Sequence, residues 1–213
     1  MAEEMIRQAE KPAARVRGPS VEKTARTREQ IIRAAMDEFL DKGYADATMA
    51  GIAARAGLAK GTTYRYFETK EALFAGIVRD IVIDPLAAAH SRPIGPDESV
   101  ADYCRSTLLP AMRLIEDKGR ASIARLVLTE GQVFPYLADV YRKEVYEPFI
   151  DHLHQLAKMA AERGELKCMF LVDSPHLLAA PLWMGIVHNG LLKPSQQIDT
   201  AALFEAQIGL LFK

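Results

Sequence analysis

Apolar residues recur at helical spacing along most of this chain and almost nowhere alternate with polar ones as strands require. Ile31, Ala35 and Phe39 share one stripe, with Ile32 and Leu40 beside it, and Gly43 supplies a stop. The spacing predicts a first helix over 27–43, opened by Thr27 with Gln30 at capping-box separation. Thr48 opens a short second helix to residue 56, Gly57 breaks it, and a third short helix covers 60–66. Thr69 caps a fourth, whose Leu73, Phe74, Ile77, Val78 and Ile81 form an apolar stripe until Pro85. Longer helices follow. One comes after Pro96 and Asp97, carries Val100, Tyr103, Met112 and Ile115, and should kink at Pro110. Another covers 121–131, and a long one covers 135–163, bent near Pro148 and closed by Gly164. Ser174 and Pro175 open a very apolar helix to 189, and Asp199 opens the last one, to 211. Residues 1–26 hold few large apolar side chains and no period, the composition of a flexible basic tail. The fold class is all-α, with about nine helices.

Composition narrows the class further. A chain of 213 residues forms one large domain or two small ones, and 49% hydrophobic content is too much for a disordered chain. Its longest apolar run, from Leu177 to Val187, is eleven residues and contains Pro181 and Gly185. A membrane-spanning helix needs roughly 20. Glu3, Glu4 and Arg7 have no apolar stretch behind them, unlike a secretory leader. Cys104 and Cys168 stand far apart without metal-ligand spacing, which suits a reducing compartment. The expectation is a cytoplasmic protein without a membrane partner.

The formal net charge of −1 conceals an uneven distribution. Lys11, Arg15, Arg17, Lys23, Arg26 and Arg28 are set against Glu22 alone, and the stretch 48–67 holds Arg55, Lys60 and Arg65 with no acid. Positive charge gathered at one end of a near-neutral chain suits contact with a polyanion, although most charge runs are solvated faces. That same stretch reads short helix, glycine turn, short helix, the plan in which the second helix enters a DNA major groove. Ile52 and Ala53 pack inward, Gly57 allows the turn, and Leu58 plugs it. Lys60, Gly61, Thr62 and Thr63 give the third helix a small, polar leading end. Small residues admit the backbone to the groove floor, and threonine offers both a hydroxyl and a methyl to base edges. Tyr64, Arg65 and Tyr66 can reach flanking phosphates, while Thr48 and Thr69 stand at helix N-termini that favour a phosphate, with Lys70 adding charge. Bland alternatives stay open: Tyr64, Tyr66 and Phe67 as core aromatics, Thr48 and Thr69 as plain caps.

Taken in order, these residues resemble a known family. Gly43-Tyr44, Thr48-Met49-Ala50-Gly51-Ile52-Ala53, Ala56-Gly57-Leu58, the run Lys60 through Phe67, and Lys70-Glu71-Ala72-Leu73 closely resemble the DNA-binding domain of the TetR family of bacterial transcriptional regulators. The likeness covers 27–77, about a quarter of the chain. It implies phosphate contacts at Thr48, Tyr64, Tyr66 and Lys70, and base-facing positions at Lys60, Gly61, Thr62 and Thr63. Phe67 would lock the helix-turn-helix to the first helix. The implied organisation is a helix-turn-helix DNA-binding domain over 27–72 and a helical effector-binding and dimerisation domain over 73–213. The basic tail is longer than many members have; a minor-groove arm and a tail without a role are both open. The resemblance further implies a homodimer through the last two helices, about 175–189 and 199–211, on a near-palindromic operator.

A small, apolar or aromatic effector is the remaining implication, and the implied sign is repression, relieved when the effector binds. Candidate pocket liners are Tyr103, Met112, Phe134, Trp183 and Met184. The competing reading is an architectural DNA-binding protein without an effector. Catalytic and metal chemistry lack support. His152 and His154 are two apart and point to different faces of a helix, and no HExxH, GxSxG or phosphate-binding glycine loop occurs. No cofactor and no enzymatic role are expected.

Overall fold

The computed structural model describes residues 21–83, 92–115 and 119–213, which form ten helices. Helix α1 spans Val21–Asp46, broken at Gly43, whose φ of 76° turns the chain out of the helical path. Short helices α2 (Met49–Arg55) and α3 (Lys60–Tyr66) follow, then α4 (Lys70–Ile77), which continues as a π-helical stretch, Val78–Ile83. Helix α5 runs through Val100–Tyr103, Cys104–Leu108 and Leu109–Arg113, and α6 covers Arg120–Glu130. The long α7 comprises Pro135–Tyr141, Arg142–Tyr146 and Glu147–Glu162. A single turn, α8 (Phe170–Asp173), precedes α9 (His176–Val187, extended by His188–Leu192) and α10 (Thr200–Leu211). An isolated antiparallel bridge between Leu166 and Phe212 holds the chain's end.

Two expectations about the first helix change. It starts at Val21, so 21–26 is helical rather than tail, while 1–20, with Lys11, Arg15 and Arg17, lies outside the described residues. Thr27 therefore sits inside the helix and is no cap. Its hydroxyl donates to the carbonyl of Lys23 at 2.9 Å, and Gln30 reaches across to the carbonyl of Ala56. The expected stop at Pro85 also lies outside the described residues.

Pro110 and Pro148 each follow a π-helical turn, Cys104–Leu108 and Arg142–Tyr146. A helical proline ring collides with the carbonyl four residues earlier. That carbonyl belongs to Ser106 or Glu144, inside the widened turn, so each helix absorbs its proline by loosening locally.

The hydrophobic core has two parts. One runs from Ile31, Phe39 and Ile52 through Leu73, Phe74 and Ile77 to Ile123, Leu137 and Ile186. The other joins α5, α7, α9 and α10 around Tyr103, Leu153, Leu178, Phe204 and Ile208. Leu182 and Trp183 pack against both. The first cluster crosses the boundary expected at 72/73, so the N-terminal helices and the C-terminal half share buried surface. Apolar surface removed from water contributes about 25 cal/mol per Å², so this shared surface favours holding the two parts together.

Candidate nucleic-acid interface

Helix α2 begins where Thr48 Oγ1 accepts the Gly51 N–H at 3.0 Å, and α4 begins where Thr69 Oγ1 accepts the Ala72 N–H at 3.1 Å. Between them Gly57 adopts φ of +64°, a left-handed conformation that L side chains rarely tolerate, and turns the chain from α2 into α3. Ile52 and Ala53 anchor α2, and Phe67 closes α3 against the core. The carboxylate of Glu38, 1% exposed, ties α1 to α2 by accepting from Lys42 Nζ at 2.7 Å and Arg55 Nε at 3.0 Å. The hydrogen bond from Lys42, helped by Arg55, holds Glu38 below the usual carboxylate range against the opposing effect of burial.

The outer side of α3 presents Lys60, Gly61, Tyr64 and Arg65, with Thr62 and Tyr66 half-buried beside them. Nothing lies within 4 Å of where a Gly61 Cβ would stand, so a groove floor can approach the backbone there. Lys60 Nζ sits 5.8 Å from the centre of the Tyr64 ring, and the Arg65 guanidinium 5.8 Å from that of Tyr66. Thr48 is exposed at the edge of the same surface.

Two of the expected contact residues are placed elsewhere. Thr63 is 0% exposed and its hydroxyl has no hydrogen-bond partner, so it faces the core rather than a base. One residue is a turn of about 100° on a helix, which separates it from Thr62. Lys70 Nζ donates to the carbonyls of Tyr44, Ala45 and Ala47 and lies 4.3 Å from the centre of the Tyr44 ring. Its charge is used to close the end of α1 rather than to meet a phosphate.

Sequence reasoning did not foresee the role of Glu130, the last residue of α6. Its two oxygens accept the Tyr44 N–H at 2.9 and 3.0 Å, and Oε2 also accepts the Ala45 N–H at 3.2 Å. The loop leading into α2 is thus gripped on its carbonyls by Lys70 and on its N–H groups by Glu130. No local pattern signals a contact across 86 residues.

In the C-terminal half, residues of α5, α6, α7 and α9 and of the α4 continuation surround an apolar cavity of about 50 Å³. Met112 and Trp183 line it, together with Val82, Tyr141, Tyr146 and Phe149. The other three expected liners do not. Tyr103 is buried in the second core cluster beneath the Arg92 guanidinium, 5.1 Å from the ring centre. Phe134 packs edge-on against Tyr44, centroids 5.1 Å apart, and Met184 is 53% exposed on the outside of α9.

The model of bacterial regulatory proteins of the tetR family matches residues 31–77, which span the helix-turn-helix and most of α1 and α4. Residues 31–77 thus carry a TetR-family DNA-binding segment. Among its relatives, the transcriptional regulator SrpR of Pseudomonas putida is 22% identical over 175 residues, 80% of this chain and 78% of SrpR. The transcriptional repressor BepR of Brucella suis is 26% identical over 181 residues, 78% of this chain and 81% of BepR. The solved structure of the transcriptional regulator FadR from Bacillus subtilis, in complex with stearoyl-CoA, superposes with a TM-score of 0.68 at 18% identity. That superposition covers 85% of this chain and 96% of FadR. The chain therefore shares the helical fold of FadR over most of its length, and its described residues contain no helix long and apolar enough to cross a membrane.

Proposed function

We propose that this protein is a dimeric, ligand-responsive repressor that binds a near-palindromic operator and releases it when an effector enters the cavity. The observation that carries the reading is the position of α4. Its Leu73, Phe74 and Ile77 are buried in the core shared with α1, and Val82, on its continuation, lines the cavity. An effector that displaces Val82 acts on the helix that carries the reading head. Couplings between two such sites typically amount to about 1–3 kcal/mol.

Thr48, Tyr64 and Tyr66 supply phosphate contacts, and Lys60, Gly61 and Thr62 face the bases. The family match supports a DNA-binding role for this segment, and the repressor relative BepR supports the sign. The bound ligand of FadR supports an effector role for the helical half. A dimer is supported by the outer faces of α9 and α10, where Met184, Leu203 and Leu210 are 53, 42 and 74% exposed and Ala180, Ala202 and Ala206 lie open. A contiguous apolar face of this kind is uncommon on a monomer and marks an interface. Pairing it with a second copy presents two α3 helices, which need successive major grooves about 34 Å apart.

The test is selection of bound duplexes from a random DNA pool, then affinity of the winner against salt. The expected result is an enriched near-palindrome with a steep salt dependence, about 0.9 in slope per phosphate contact. The same slope without an enriched sequence would replace the reading with an architectural binder.

A further inference from the structure

An apolar effector does not account for one feature of the cavity. Among the described residues lining it, Arg120 is the only charged side chain. Arg120 opens α6, and just 6% of its surface is exposed. Its Nε donates to the carbonyl of Ile81 at 3.1 Å, near the end of the α4 continuation. No described carboxylate pairs with the guanidinium, and its two terminal nitrogens make no hydrogen bond to a described residue. A buried cation without an anion is costly, whereas a guanidinium presents a planar fork that matches a carboxylate in two parallel hydrogen bonds.

We propose that the effector is an anionic amphiphile whose carboxylate pairs with Arg120 while its apolar or aromatic body lies against Met112, Phe149 and Leu182. This rests on the reading of the protein as an effector-responsive regulator and specifies the ligand class of that same site. The cavity is smaller than the roughly 300–1,000 Å³ of ordinary ligand sites, so the body must gain room. An apolar surface groove lined by Val127, Leu128 and Ala138 supplies it, because Tyr141, Tyr146 and Trp183 line both spaces. These rings form a partition, with Trp183 6.4 Å from Tyr141 and 6.2 Å from Tyr146 between centroids. Rotation of the partition joins groove to cavity and gives the ligand its path. Once bound, the carboxylate competes with the Ile81 carbonyl for the guanidinium, so the anion acts directly on the end of α4.

The chain has a single tryptophan, and it stands in this partition, so its fluorescence reports occupancy. The full-length protein is titrated with 4-phenylbutanoate and decanoate, each beside its methyl ester. The acids are expected to bind about tenfold more tightly than their esters, a gap that Arg120→Gln reduces to about twofold and Arg120→Lys partly restores. Esters that match the acids, no saturable change with either acid, or a folded Arg120→Gln protein that keeps the preference would each overturn the proposal. Should that variant fail to fold, the acid–ester comparison on the unaltered protein decides alone. Operator release separates the two readings. An ester that releases DNA as well as its acid removes the anion assignment and leaves the regulator. Arg120-dependent acid binding that never affects operator affinity upholds the anion site and removes the regulator.

Discussion

Replacing Glu130 with Ala removes a carboxylate that reaches from the end of α6 to the backbone in front of α2. The Tyr44 N–H is shared between its two oxygens and the Ala45 N–H meets one of them, so two donors depend on it. A hydrogen bond to a charged acceptor contributes about 1.5–3 kcal/mol, and leaving its buried partner unsatisfied costs a similar amount. Tyr44 is buried, so its N–H finds no water, whereas Ala45 is exposed and its N–H is rehydrated. The full value therefore applies to one bond, and Glu130→Ala should cost about 2–3 kcal/mol. Glu130→Gln keeps one acceptor oxygen without the charge and should cost about 1 kcal/mol. For a chain of this length, each kcal/mol lowers the melting midpoint by about 2–4 °C, so the Ala variant should melt about 4–12 °C lower. Urea and thermal unfolding followed by circular dichroism at one fixed protein concentration measure this, since the midpoint of the proposed dimer would depend on concentration. A loss below about 0.5 kcal/mol in the Ala variant, or equal losses for Ala and Gln, would refute the argument.

Four further outcomes are expected. Lys70→Met should lower stability by opening the end of α1 yet leave the salt dependence of operator binding unchanged; a slope reduced by about 0.9 would return Lys70 to the phosphate contacts. Thr63→Val, which replaces a buried hydroxyl lacking a partner, should be neutral or stabilising by up to about 1 kcal/mol and leave sequence preference intact, while Thr62→Ala should relax it by roughly 1 kcal/mol or more. Binding to single-base operator variants distinguishes the two threonines, and a preference that moves with Thr63 instead would show that α3 is rotated. Glu38 is held below its ordinary 4.5, so its stabilisation is present above that value and fades as pH falls through the lowered folded-state pKa. Glu38→Gln should therefore lose stability near neutral pH and show a flatter acid limb in unfolding experiments; an unchanged limb counts against the Lys42 and Arg55 pairing. Leu210→Arg should convert dimers to monomers in sedimentation and weaken operator binding without loss of helical signal, and a variant that stays dimeric would move the interface away from α10.

Local chemistry was readable without the structure wherever a residue's own neighbours decide its conformation. Thr48 and Thr69 cap helices because a threonine oxygen three residues ahead of an orphan N–H is a purely local arrangement. Gly57 turns the chain because few other residues accept a left-handed backbone. The same locality produced the error at Thr27, where a sound capping pattern was overridden by a helix that begins earlier at Val21.

What periodicity could not decide was which side of a two-turn helix faces inward. A seven-residue α3 carries too few apolar positions to fix its rotation, so packing against its neighbours separates buried Thr63 from half-buried Thr62. Long charged side chains are equally undetermined, because Lys70 and Glu130 reach partners set by the fold rather than by spacing. Apolar character likewise marked Tyr103, Phe134 and Met184 without saying whether each met a cavity, a second core or solvent. It passed over Arg120 altogether, whose burial beside an apolar space comes from the close approach of α4 and α6. Most helices after the first, the Thr48 and Thr69 caps, the Gly57 turn and the likeness to a family were legible from sequence, because they rest on neighbouring residues and an ordered motif. Which side chains share a space was settled by the packing of the helices, because contacts between distant segments have no local signal.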